Sequence, residues 1–431
     1  MTSPPGTWGV PWLGASLPFV RQPLHWMQQQ AARYGPIFKT TLIGRPTVFL
    51  LGPAANEWVL STHAAALHWR EGYGDAAFRL FGPALFLQDG APHDQARAVM
   101  APAFRGERMR HCFAQIHEVV DDQLAGWPVA QPFELYRAAK HLAFRLAARV
   151  LMDVDSDPQT PQLCRLFDQF AAGLFTPFTL DVPATLFGRA LRAQRALVAY
   201  FADVLVQRRQ RPGDDVLGLM LASGMSDDAI ISHLLLLLFA GHDTTASLLT
   251  WLCYELSRQP GLVARLRHEL HQVVGDQPLT LAHLRELPLL DAVVREGERL
   301  HPPAPTGFRG LQATLEFGGY TLPKGWIVVY APIFTHHMPS LWADPTRFDP
   351  DRMLAPRSEH RRVPYSLVGF GGGPRKCIGE GLAQLELKTI LATLLAQHDL
   401  VLQPRQRIVP VFTPSLHPAH GLWLTRQPRS N

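Results

Sequence analysis

The stretch from Ser226 to Arg258 constrains this chain more than any other. Ser226 can cap a helix whose first turn carries Asp227 and Asp228, both favourable beside the unpaired N–H groups at a helix start. The helical pattern then continues to about Arg258. Most globular helices span three or four turns, so a helix of this length must cross the molecule and have the fold arranged around it. Its middle carries "AGHDTT", Ala240 to Thr245, in which two small residues and then polar ones follow a run of leucines. The most apolar part, Leu234 to Gly241, is eight residues long and flanked by His233 and His242. A bilayer span needs about twenty. We expect a core helix with a polar interruption.

Around this rod the chain divides into a few kinds of segment. "GPIFKTTLIG" and "RPTVFLLG" predict a hairpin broken at Gly44-Arg45-Pro46. Residues 53–300 are mostly helical in pattern, with Pro- and Gly-containing turns. A strand-like patch, "LEFGGYTLPKGWIVVYAP", precedes a helix from about Glu380 to Ala396 and a β-like tail from about Leu400 to Leu424. The expected fold is mainly α with a small β region built from both ends of the chain. No repeat or Gly/Ser linker interrupts residues 1–431, so a single domain is expected, and 47% hydrophobic content gives it a large core.

Charge and cysteine content exclude several classes. The net charge of +5 comes almost wholly from arginine, since lysine occurs only at Lys39, Lys140, Lys324, Lys376 and Lys388. No Lys/Arg-rich run suited to nucleic acid is present. Cys112, Cys164, Cys253 and Cys377 are far apart and form no CxxC pair, which fits neither a disulfide framework nor zinc and suits a reducing, cytoplasmic setting. "MTSPPGTWGVPWLG" has neither a basic n-region nor a long apolar run, so no signal peptide or membrane anchor is expected.

The chemistry concentrates in "GFGGGPRKCIGEG", Gly369 to Gly381. Phosphate-loop patterns (GxxxxGK followed by Ser or Thr, or GxGxxG) cannot be laid over it. A single thiolate can hold the iron of a haem. Such a site needs backbone close to a flat macrocycle, which glycines permit, and N–H donors and positive potential at the sulfur, which a helix opening near Cys377 supplies. Propionate groups need cations, and Arg375 lies two residues before the thiol. Phe370 is placed to shield the sulfur. Upstream, Glu296 and Arg299 stand at i,i+3 on a helix stopped by "HPP", His301 to Pro303. Asp243 and Thr244 pair a carboxylate with a hydroxyl, a combination that delivers protons into an apolar pocket. Local backbone bonding by Thr244 and Thr245, with some distortion of the helix, is the structural alternative. His242 receives no role. A zinc site at His336-His337 ranks lowest, because adjacent histidines rarely chelate one metal without spaced ligands.

Taken together these segments resemble the haem-thiolate monooxygenases, the cytochromes P-450. "FGGGPRKCIG" (Phe370 to Gly379) matches their FxxGxRxCxG at every fixed position, and Glu296 and Arg299 match their ExxR. "FDPDRM" (Phe348 to Met353) is similar to FxPxRF with Met353 in place of the aromatic, "AGHDTT" resembles the central-helix motif, and "HDQAR" (His93 to Arg97) looks like an HxxxR haem-contacting form. The resemblance covers nearly the whole chain and implies a large helical domain with a long central helix and minor β-sheets. It implies haem b (iron protoporphyrin IX) with Cys377 as axial ligand and Phe370, Gly373 and Gly379 in the surrounding loop. His93, Arg97, Arg309 and Arg375 would contact the propionates, although an ordinary surface arginine is an equal reading of Arg309. Glu296, Arg299 and Arg352 would form a buried ion network.

The fatty-acid peroxygenases of this family carry Arg and Pro where this chain keeps Asp243 and Thr244, so O₂ plus two electrons is the implied oxidant. No flavin or iron–sulfur segment and no fused reductase is present, so electrons are expected from a separate ferredoxin or flavodoxin with its reductase. Arg97, Arg105, Arg108, Arg110, Lys376 and Lys388 are the candidate basic docking face. "LLLLLFAGHDTTASLLT", "PATLFG" and "TGFRG…PKGW" look like the bacterial branch akin to retinoic-acid hydroxylases, which implies an apolar isoprenoid or long-chain acid, with fatty acids as rival. Two alternatives remain: a haem-thiolate peroxygenase or isomerase, and a non-catalytic haem sensor.

Overall fold

The Asp227–Ser257 helix runs unbroken through the protein in a computed structural model that describes residues 2–154, 159–174, 176 and 178–429. Ser226 caps it, its hydroxyl accepting the Ala229 N–H at 3.3 Å. Among the described residues it alone is long and apolar enough to cross a membrane by length and composition. It is nonetheless a core helix, with 67% of its most apolar window buried. Its two halves belong to different cores. Ile230, Ile231 and Leu234 to Leu238 pack with the helices at Trp69–Phe81, Leu135–Met152, Thr160–Ala172 and Leu186–Gln210. Ala246, Leu248, Leu249, Leu252, Cys253 and Leu256 pack with the helices at Arg108–Gly126, Pro288–Leu300 and Glu380–Gln397. The polar segment falls where the two cores part.

The principal sheet has five strands in the order Ile37–Leu42, Arg45–Leu50, Ile327–Tyr330, Gly307–Leu311, Leu67–His68. The first pair is the expected hairpin, but Leu42 faces Arg45, so the turn is Ile43-Gly44. Both turn residues have positive φ (46° and 72°), the geometry of a two-residue hairpin that matches strand twist. Arg45 and Pro46 therefore belong to the strand. The proline is tolerated because the parallel ladder to Ile327–Tyr330 begins only at Thr47. A second sheet joins Pro132–Glu134 to Trp423–Pro428 and His398–Leu402. The β region thus draws on both chain ends, as expected, and also takes short strands from the helical middle.

Candidate functional site

Cys377 lies three residues before the Glu380–Gln397 helix. Its backbone N–H donates to the Phe370 carbonyl at 2.9 Å, closing the loop on itself. Gly369, Phe370 and Gly371 form cavity wall. Gly373 and Gly379 do not, although the motif suggested an approach to a macrocycle. Gly373 has φ 60°, and a Cβ there would lie 2.0 Å from the Leu60 carbonyl oxygen. Its bareness serves packing against the Leu60–Ser61 backbone. Gly379 is the cap position of the helix, and its backbone N–H acts to lower the Cys377 thiol pKa. The expected depression of the thiol does not prevail. Burial pushes Cys377 up, Glu380 and Glu298 add to the rise, and the Gly379 N–H and Arg97 only partly oppose it. A thiolate there draws on a cation bound to it.

Behind the loop lies a buried charge network. Arg299 Nε and Nη2 donate to the two oxygens of Glu296, each at 2.7 Å, and both side chains are fully buried. Arg299 Nη1 also reaches the carbonyls of His336 (2.7 Å) and Pro345 (2.8 Å). Arg352 Nε donates to Glu296 at 3.1 Å and its Nη1 to Glu359 at 2.9 Å. His336 connects this network to the cysteine loop. Its Nδ1 donates to the Arg299 carbonyl (3.1 Å) and its Nε2 accepts the Val368 N–H (3.0 Å). Both bonds require the neutral ring, and burial holds its pKa well below the usual value. His337 instead donates to the Ile333 carbonyl at 2.8 Å, so the pair does not chelate. Met353 packs with Trp342 and Ala292, so a flexible apolar side chain fills the aromatic position. Glu359 and His336 were not legible as members: the first lies in an unpatterned polar stretch, and the second signalled only through its neighbour.

His93, Arg97, Arg309 and Arg375 all line one cavity of about 700 Å³ with Cys377. Arg309 is no surface arginine. It is 2% exposed, and its guanidinium lies 3.4 Å from the centre of the Trp69 indole. The Arg375 guanidinium lies 5.0 Å from the same ring. Arg375 donates to the Gln88 carbonyl (2.8 Å) and to Asp89 (3.3 Å). Burial lowers its pKa to about 10 against the pull of Asp89. His93 is buried with Nδ1 2.9 Å from Asp94, and burial pushes its pKa down. Arg97 Nη2 donates to the Lys376 carbonyl at 2.7 Å. Trp69 is the residue that sequence reasoning missed. Its Nε1 is buried and has no partner among the described residues. It lies well before the His93–Arg97 segment and carries no motif of its own.

On the facing wall are Ala240 and Thr244. Thr244 donates to the Ala240 carbonyl at 2.6 Å without interrupting the helix, so the expected distortion is absent. Gly241 faces away, towards Ala147 of the neighbouring helix. Asp243 is buried, with Lys140 Nζ 3.2 Å from its carboxylate and the Ser415 hydroxyl donating to it. Burial alone would raise this carboxyl, but Lys140, His242 and Ser415 hold it below the usual range. Lys140 also pairs with the half-exposed Asp168, so charged groups run from the surface to Asp243. Thr245 donates to Glu386 at 3.2 Å, and burial pushes that carboxyl up to about 8.

This donor set fits a haem. One thiol opens on an apolar cavity, four basic side chains converge on one rim, and a buried indole N–H there has its bond unmade. The comparisons agree. A family model for cytochrome P-450 matches residues 4–427. Cytochrome P-450 120 of Synechocystis sp. is 34% identical over 428 residues, covering 97% of this chain and 95% of its own length. Abscisic acid 8'-hydroxylase 3 of Oryza sativa is 31% identical over 443 residues, covering 97% and 85%. Among solved structures, a retinoic acid-bound cyanobacterial CYP120A1 matches with a TM-score of 0.93 at 33% identity over 100% of both chains.

Proposed function

Since the chain belongs to the cytochrome P-450 family of haem-dependent monooxygenases, we propose that it hydroxylates an unactivated C–H bond of an isoprenoid or long-chain carboxylic acid. The observation that carries this reading is the apolar cavity lined by both Cys377 and Thr244, on whose wall Arg97, Arg309 and Arg375 would meet the propionates of a bound haem. A chamber of that size and lining takes large apolar ligands. The solved relative with retinoic acid bound supports the isoprenoid class. Haem held by Cys377 supplies the O₂ activation that hydroxylation requires.

The chain's own residues supply binding and protons. Arg97, Arg309 and Arg375 would neutralise the propionates of a bound haem, with His93 and the Trp69 N–H as further hydrogen-bond donors. Trp69→Phe keeps a ring for the arginines to lie against but loses that donor. Haem transfer to apomyoglobin is expected to accelerate about tenfold or more, the worth of one hydrogen bond to a charged group. An unchanged transfer rate would assign Trp69 to packing alone. Asp243, ionised and held by Lys140 and Ser415, takes up protons from the surface side. Thr244 passes them on by giving up its bond to Ala240. Asp243→Asn is expected to lower kcat by about 10²-fold or more, within the range for a lost proton-transfer group, while the substrate-induced spin-state shift persists.

We read residues 1–431 as one cytoplasmic oxygenase domain reduced by separate proteins. A depression of about 460 Å³ behind Cys377 is lined by Arg97, Arg105 and Lys376, a surface suited to an acidic ferredoxin or flavodoxin. Lys388 is held by Asp291 and does not line it. The deciding experiment titrates retinoids and fatty acids for a spin-state shift, then measures O₂-dependent turnover with ferredoxin and reductase. Turnover that needs peroxide and ignores O₂ and electron donors would overturn the monooxygenase assignment.

A further inference from the structure

The two residues that hand on protons are turned away from each other. Asp243 has one carboxylate oxygen 3.2 Å from Lys140 Nζ and the other bonded by the Ser415 hydroxyl. Thr244 points back to its own helix, with its hydroxyl on the Ala240 carbonyl at 2.6 Å. Lys140 belongs to the supply side, since it also pairs with Asp168 near the surface. Ser415 comes from a different part of the chain, the C-terminal tail, and is 2% exposed.

Beyond Ser415 this tail is fixed. The Leu416 carbonyl accepts the Ser247 hydroxyl and the Trp251 Nε1–H (2.9 Å), both from the Asp227–Ser257 helix. The Leu416 N–H donates to the Pro303 carbonyl at 3.1 Å. The His417 ring stacks on Tyr136 with centroids 4.9 Å apart, and its Nδ1 donates to the Ser415 carbonyl at 2.8 Å. Before Ser415, the half-buried Phe412, Thr413 and Pro414 form cavity wall. Ser415 is thus the joint between a wall that a ligand presses on and a stretch anchored to the helix that carries Asp243. A ligand shifts such a joint only through contacts that differ between its two positions, and the wall supplies them. We propose that Ser415 is a positioning residue that gates proton delivery: its hydroxyl keeps the Asp243 carboxylate turned from Thr244 until a ligand seated against residues 412–414 displaces it. This rests on the proton-delivery reading of Asp243 and Thr244, and adds the element that makes delivery answer to substrate.

The test uses the haem-loaded protein with ferredoxin, its reductase and NADPH, and no substrate. Ser415→Ala is expected to raise O₂ consumption about tenfold, the worth of one hydrogen bond to a charged group, with the two electrons and two protons leaving as H₂O₂. Its resting absorption spectrum should match wild type. Ser415→Thr keeps the hydroxyl and should restore the low rate. Ser247→Ala loses a hydroxyl bond to the tail without touching Asp243, and should consume O₂ as wild type does. A readout without turnover is isotope-edited infrared on ¹³C-aspartate protein, with Asp243→Asn subtracted to isolate one carboxylate. Retinoic acid or palmitic acid should move that band in wild type towards its position in Ser415→Ala, and leave it unmoved in the variant. Substrate-free consumption by Ser415→Ala at the wild-type rate overturns the proposal, as does an equal rise in Ser247→Ala or a wild-type band that neither acid moves. If Asp243→Asn turns over substrate as fast as wild type, the proton-delivery reading falls and the gate falls with it.

Discussion

Glu296→Gln is expected to lower the unfolding free energy by about 3–5 kcal/mol, because it leaves the buried Arg299 guanidinium facing a neutral amide with no other carboxylate in contact, while Arg352 keeps only Glu359. Arg299 and Arg352 are both fully buried and both bond this carboxylate. The carbonyls that Arg299 also contacts supply dipoles but no charge. Such a loss is a large share of the roughly 5–15 kcal/mol that holds a domain together. The internal control is Asp351→Asn. Its pair with Arg265 is short (2.5 Å), but the side chains are 43% and 51% exposed, so solvent screening limits the cost to about 1 kcal/mol or less. Denaturant melts of the two variants measure the contrast. Equal losses would show that the buried network is not a special contributor. Haem retention should fall with Glu296→Gln as well, since Arg299 holds the ring of His336 and His336 holds Val368 beside the cysteine loop.

Cys377→Ala is expected to abolish turnover and the thiolate signature of the reduced, CO-bound difference spectrum, yet to cost little stability. The loop is closed by the backbone bond from residue 377 to Phe370, which alanine keeps. No other thiol can substitute. Cys112, Cys164 and Cys253 are buried in the apolar cores, where desolvation pushes them up to about 11, 12 and 12. Only Cys377 opens on the cavity. A variant that folds, binds haem and still shows the thiolate band would remove Cys377 from the assignment.

Local sequence carried the parts of this site that are contiguous. The helix at 227–257 announced itself by its cap, its acidic first turn and its length. The cysteine loop did so by five fixed residues within ten, and Glu296 and Arg299 by their helical spacing. What stayed hidden depends on distant contacts. Gly373 is bare because it meets Leu60, more than three hundred positions away, which no local pattern encodes. Trp69, Lys140, Ser415 and Glu359 join the site through folding alone and belong to no motif. The turn at Ile43-Gly44 was misplaced because Pro46 looked like a turn residue, whereas the parallel ladder leaves its missing N–H unneeded.

The partition of the central helix between two apolar clusters has an evolutionary consequence. Of these two clusters, one supplies most of the chamber wall, with Ala77, Phe81, Leu85, Leu236 and Leu237 against Leu248 and Leu387 of the other, whereas the helix after the cysteine loop packs its Leu382, Leu385, Ile390 and Leu391 in that other cluster. Selection can therefore resize the chamber for a new ligand while the anchorage of the iron stays fixed. One scaffold can in this way diversify its diet without relearning its chemistry.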